Sequence, residues 1–127
     1  MMAILLVGLG SLIGGILRYG LSTWVHRVLD NPWFPYGTLA VNAAGCLLIG
    51  FLAGMAETRT LFSSDVRLFM FVGILGGFTT FSSFALETFA LARDTQTLAA
   101  LLNIALQLAL GLVAVWMGNA LARVIGG

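Results

Sequence analysis

The sequence predicts an all-α membrane protein of four transmembrane helices, the third broken near its middle, and three observations carry that prediction. Hydrophobic residues make up 60% of the chain and charged ones only 9%, against roughly 25% charged in a soluble domain. Four apolar stretches, at about 2–28, 37–55, 67–92 and 98–124, each approach or exceed the ~20 residues that cross a bilayer. The third contains Gly73-Ile74-Leu75-Gly76-Gly77-Phe78-Thr79-Thr80-Phe81-Ser82-Ser83-Phe84, where glycines and paired hydroxyls interrupt an apolar run. In hydrocarbon the backbone must satisfy its own hydrogen bonds, so this interruption survives only where protein or an aqueous path shelters it.

The first span, Met2 to Val28, begins without a basic segment and runs on to Arg18 with no cleavage site, so it is expected to be retained. Gly10 and Gly14 stand in GxxxG spacing, as do Gly50 and Gly54 in the second span. Such pairs serve either close packing or dimerisation. His26, beside Arg27 at the end of the span, has neither a nucleophile partner nor a metal-ligand cluster; it reads as an interfacial polar side chain, and no enzyme chemistry is indicated. Asn31-Pro32-Trp33-Phe34-Pro35 then separates the first span from the second.

In the second span, Gly37 to Met55, Thr38 and Asn42 lie at i and i+4, hence on one helical face that Cys46 and Gly50 continue. A carboxamide in hydrocarbon is costly unless paired. Asn42 therefore either joins another helix or donates to an anion. Cys46 is the single cysteine, which rules out an intrachain disulfide and leaves a packed thiol as the expected state.

The third span, Arg67 to Ala92, places Phe78, Phe81 and Phe84 three residues apart, the last two on roughly one face. These rings either pack or turn their positive edges into a narrow anion path. The break around Gly76, Gly77 and Thr79 is either a simple kink or a source of carbonyls for a cation. In the fourth span, Leu98 to Val124, Asn103 and Gln107 repeat the i, i+4 carboxamide spacing, with Gly111 one turn on. Two such faces imply a polar track without a central positive charge, which suits release of a conducted anion. Arg18 and Glu87 fall near span boundaries and take supporting roles.

Charge decides less than usual. Six arginines, no lysine and five acids leave a net charge of +1, offering neither a nucleic-acid surface nor a polybasic lipid-binding face. If the termini share a side, that side carries Arg59, Arg67 and Arg123, while the other carries Arg27 and Arg93, with Arg18 nearer to it. Loop arginines set orientation, and here they nearly cancel. The chain either inserts both ways, allowing an antiparallel homodimer with a two-fold axis in the membrane plane, or keeps one weakly biased topology. The spans consume most of the chain, so residues 1–127 are expected to form a single integral membrane domain surrounded by lipid.

The runs Gly14-Gly15-Ile16-Leu17-Arg18-Tyr19, Gly37-Thr38-Leu39-Ala40-Val41-Asn42-Ala43-Ala44-Gly45 and Gly77-Phe78-Thr79-Thr80-Phe81-Ser82-Ser83-Phe84 closely resemble the Fluc fluoride channels, also called CrcB. The resemblance covers essentially the whole chain and is weakest in the fourth span. It implies a bacterial channel in the cytoplasmic (inner) membrane that exports fluoride passively, built as an antiparallel, dual-topology homodimer with two pores. By motif position it implies Asn42 as a pore donor, Phe81 and Phe84 as ring edges toward fluoride, and Thr38 on the same surface. It further implies a structural sodium ion held by backbone carbonyls of Gly76 and Thr79, with Arg18 and Glu87 toward the vestibules. Where that family often presents hydroxyl or tyrosine side chains, this chain has Asn103, Gln107 and Gly111.

Two other classes compete. A small multidrug-type cation/proton antiporter needs an acid deep in its first span, and here none precedes Asp30. A non-transporting assembly subunit would explain the carboxamides as helix joints but leaves the glycine, threonine and phenylalanine run unexplained. No phosphate-binding motif is present to drive active transport.

Overall fold

Helix follows helix because nearly every apolar run is long and uninterrupted enough to satisfy its own backbone. The computed structural model describes residues 1–59 and 62–127. Four stretches are long and apolar enough to cross a membrane: Met2–Val28, Tyr36–Arg59, Ser64–Arg93 and Thr97–Gly126. The first is α1 (Met2–Val28) and the second α2 (Tyr36–Arg59). The third is composite, with α3 (Ser64–Arg67), a π-helical segment (Leu68–Leu75), α4 (Gly76–Phe78) and, after two extended residues, α5 (Phe81–Arg93). The fourth is α6 (Thr97–Gly126). The expected layout holds, with α2 running on to Arg59 and α6 to Gly126.

The break falls slightly later than its glycines suggest. Gly76 and Gly77 remain helical, whereas Thr79 (φ −81°, ψ 155°) and Thr80 (φ −147°, ψ 113°) are extended. β-Branched side chains favour that conformation, and a threonine hydroxyl offers the next helix an N-cap. The glycines serve close approach instead. A Cβ on Gly77 would lie 2.7 Å from the Ser11 carbonyl oxygen, and one on Gly73 would lie 2.9 Å from Gly10 Cα. The third span thus lies directly on α1.

Both GxxxG pairs pack within the protomer. A Cβ on Gly10 would meet the Phe69 carbonyl oxygen at 2.6 Å, and one on Gly14 the Phe78 nitrogen at 2.8 Å. Gly54 abuts Ala122, and Gly118 abuts Phe51, so α2 lies equally close along α6. Gly77→Leu is expected to force these helices apart at a cost of about 1–3 kcal/mol or more, read as a lowered melting temperature of the detergent-purified protein.

The turns are closed by local chemistry. Asp30 (φ 57°) and Asn31 (φ 51°) adopt the left-handed region that these residues tolerate, and the Asn31 amide bonds the His26 carbonyl at 2.7 Å, stopping α1. Phe34 then folds inward to pack with Leu39, Leu91, Ala99 and Ala100. At the opposite end, Arg59 donates to the Ile125 and Gly126 carbonyls, at 3.1 and 3.4 Å, and so caps α6.

Candidate functional site

Two extended residues within a membrane helix leave backbone groups that need partners. The partner comes from α2. Asn42 Oδ1 accepts the Thr80 amide at 2.9 Å, and Asn42 Nδ2 donates to the Thr80 carbonyl at 3.0 Å. One carboxamide therefore pairs with both backbone groups of one residue, as a neighbouring strand would. The same Nδ2 also donates to Gln107 Oε1 at 3.1 Å, tying α6 to the break. Thr80 completes the local work: its Oγ1 accepts the Ser83 amide at 3.2 Å and caps α5.

These substitutions of partner release carbonyls upstream. In an unbroken helix the Thr80 amide would bond the Gly76 carbonyl, and the Ser83 amide the Thr79 carbonyl. Here those two amides are engaged by Asn42 and by Thr80 Oγ1. Gly76 and Thr79 thus lose their usual helical donors, and both line a cavity of about 380 Å³ beside the break.

That cavity is also lined by Asn42, Cys46, Phe81, Phe84 and Gln107. Phe81 and Phe84 share a face as their spacing predicts, and the break at Thr79 and Thr80 parts them from Phe78. Phe81 and Phe84 stand with ring centroids 5.4 Å apart and planes at 62°, while Phe78 is buried at 7% exposure. Phe81 is 79% exposed on the protomer, so the site is open on that flank. Cys46 departs from the packed thiol expected of it: it is only partly buried and reaches the cavity. The reason is its register, one turn beyond Asn42 on the same face.

A smaller cavity, about 270 Å³, gathers Arg18, Thr38, Thr80, Ser83 and Glu87. Thr80 lines both cavities. Thr38 Oγ1 donates to Glu87 Oε1 at 2.8 Å, and Glu87 Oε2 has no partner among the described residues. Arg18 and Glu87 thus share a polar pocket, and among the described residues no ion pair joins them.

Asn103 and Gln107, matched in sequence, separate in space. Asn103 is fully buried and lines neither cavity. Its Nδ2 donates to Thr88 Oγ1 at 2.9 Å, and Thr88 in turn donates to the Phe84 carbonyl at 2.7 Å. That chain fastens α6 to α5 behind Phe84. Thr80 and Ser83 were the functional positions least visible in sequence. Their only signal was the pair of hydroxyl doublets in an otherwise apolar span.

Fold and site define a small polytopic membrane protein with a sheltered polar break, an arrangement that membrane proteins use to hold or pass small ions. The chain belongs to the CrcB family: residues 5–119 match the family described as CrcB-like protein, Camphor Resistance (CrcB). It is 46% identical over 123 residues to a protein of Parabacteroides distasonis named fluoride-specific ion channel FluC, covering 97% of this chain and 94% of that one. A protein of the same name from Paramagnetospirillum magneticum is 47% identical over 127 residues, covering 98% of each chain. A third, from Rhizobium meliloti, is 43% identical over 120 residues, covering 94% of this chain and 95% of its own.

Proposed function

We propose that this chain is a fluoride-selective channel, giving passive, electrogenic export of fluoride across the bacterial cytoplasmic membrane as an antiparallel homodimer of dual topology. The observation that carries this reading is the convergence of two phenyl rings and a carboxamide pair on one cavity at the helix break. Ring edges and amide hydrogens are neutral electropositive groups, which attract a small anion without holding it as tightly as a fixed cation would. Names of the relatives agree with that chemistry. The cation/proton antiporter finds no acid in α1.

The protomer alone leaves Phe81 largely uncovered, and a second copy would close that flank. Near-equal arginine distribution supports opposite insertion of the two copies. Fluoride then approaches through the polar pocket of Arg18, Thr38 and Glu87, or its counterpart on the other face, and passes the break between ring edges and carboxamides. Asn103 takes a holding role, through Thr88, behind the Phe84 position.

A structural sodium ion fits the released carbonyls of Gly76 and Thr79, since hard cations take oxygen donors and these two have lost their helical amides. When bound, it would hold the two protomers' breaks together. Replacing sodium with a large organic cation is expected to lower the dimer's melting temperature and its flux together. By mass action, a ligand at 100 times its Kd stabilises by about 2.7 kcal/mol. Unchanged melting after exhaustive exchange would reject the ion.

The test of the channel itself is fluoride efflux from liposomes, followed with a fluoride electrode. Efflux should be rapid only when a compensating potassium leak is provided, and chloride should move far more slowly. A verified dimer without fluoride flux would sink the reading. Because Cys46 lines the cavity, a methanethiosulfonate reagent is expected to block this flux, and Cys46→Ala to resist the block.

A further inference from the structure

The single histidine of the chain has neighbours that its position at the end of α1 does not suggest. Ser22 and His26 stand four residues apart on one face of α1, and both approach Gly37 of α2 closely. A Cβ on Gly37 would lie 2.7 Å from the imidazole Nε2 and closer still to Ser22 Oγ. The next residue, Thr38, donates to Glu87 Oε1 at 2.8 Å. Ser22, Thr38 and Glu87 line one polar cavity together with Arg18. His26 therefore stands half-buried one helical turn beyond that lining, toward the turn at Asp30 and Asn31.

Glu87 is the only carboxylate lining this cavity, and among the described residues no ion pair holds it. His26 is nonetheless close enough for its charge to act on that carboxylate. An arriving anion meets the permanent positive charge of Arg18 and the carboxylate of Glu87 in one small pocket. The balance there is near zero, so one further charge tips it. Around His26, α1 and its turn bring Arg18, Arg27 and Asp30, α2 brings Tyr36 and α5 brings Glu87. Arg93 and Asp94, at the end of α5, pair with each other at 3.6 Å. Of these side-chain types, histidine is the one that ordinarily changes charge between about pH 5 and 8.

We propose that His26 is a further functional residue of the anion entry, a proton-dependent positive charge that sets how readily the pocket of Arg18, Thr38 and Glu87 admits fluoride. The inference rests on the fluoride-channel reading and deepens it. With the imidazole protonated, the pocket becomes net positive and the local anion concentration rises. With the imidazole neutral, the Glu87 carboxylate offsets Arg18 and entry slows. A unit charge several ångströms from the path, in partly hydrated protein, changes entry by about two- to fivefold. Salt screens the part of this field that passes through water, so the effect shrinks as ionic strength rises.

The experiment is fluoride efflux from liposomes carrying the tag-free protein, at equal pH on both faces, from about pH 8 down to about pH 6. Protein-free liposomes correct for hydrogen fluoride crossing the lipid. Parent flux is expected to rise by about two- to fivefold as pH falls. His26→Gln should hold the low level and His26→Arg the high level at every pH, a pattern that a merely structural role would not produce. Proton NMR of the single imidazole in the parent should give a titration midpoint that coincides with the midpoint of the flux. Parent flux that does not change with pH overturns the proposal, as does a pH dependence that persists in His26→Gln, which would assign it to Glu87. If neither variant folds, the midpoints decide: coincidence upholds the role of His26 and separation overturns it. Absence of fluoride flux in the parent at every pH overturns the channel reading itself, and this role with it.

Discussion

Replacing Asn42 with alanine is expected to abolish fluoride flux and to lower the melting temperature together, the largest effect of any single substitution at the site. The change leaves the Thr80 amide and Gln107 Oε1 without their partner and takes a second donor from the Thr80 carbonyl, which keeps its bond at the start of α5. Each buried polar group stranded in this way costs about 1–3 kcal/mol, a large share of the stability of a small protein. The Thr80 amide would then have its ordinary helical acceptor, the Gly76 carbonyl, as the nearest alternative, and capturing it would close part of the break. Melting curves in detergent and liposome flux on the same preparation check this. An Asn42→Ala protein that keeps the parent melting temperature would show that the carboxamide does not hold the break.

Phe84→Ile and Phe81→Ile should behave differently, lowering fluoride flux by about tenfold or more with little loss of dimer. Isoleucine preserves much of the apolar volume but has no ring and hence no positive edge. Phe81 is mostly uncovered on the protomer, so its truncation removes little of the protomer's own packing. Flux and dimer fraction, the latter by size-exclusion chromatography, are measured side by side. Flux that falls only in proportion to lost dimer would reject the ring-edge role.

The contrast between these two experiments arises from where each residue's partners lie. Asn42 is bonded to backbone and to α6, whereas the Phe81 and Phe84 rings face one another at the cavity. A variant that fails both in folding and in flux marks a positioning group. One that fails in flux alone marks a group on the path.

Much of this was legible before any coordinates. Hydrocarbon tolerates few charges and demands long apolar runs, so composition and run length place the four spans to within a few residues. The helical period likewise puts Phe81 and Phe84 on roughly one face and aligns Asn42 with Cys46; what sets Phe78 apart is the break at Thr79 and Thr80. The site itself was only partly legible. Asn103 and Gln107 have the same spacing as Thr38 and Asn42, yet Asn103 bonds Thr88 in the core while Gln107 joins Asn42 at the cavity. Periodicity specifies a face of a helix; it does not specify which neighbour that face meets.

The break makes the same division. Local chemistry in the chain marks an interruption of the third span that must be sheltered from hydrocarbon. Only the packed fold decides that the amide of Thr80 is taken by a side chain 38 residues away in sequence, and hence which carbonyls are released. The physical reason is that solvent and period act along the chain, one residue at a time. A hydrogen bond between helices has meaning only once close glycine contacts have set α1 against the third span and α2 against α6.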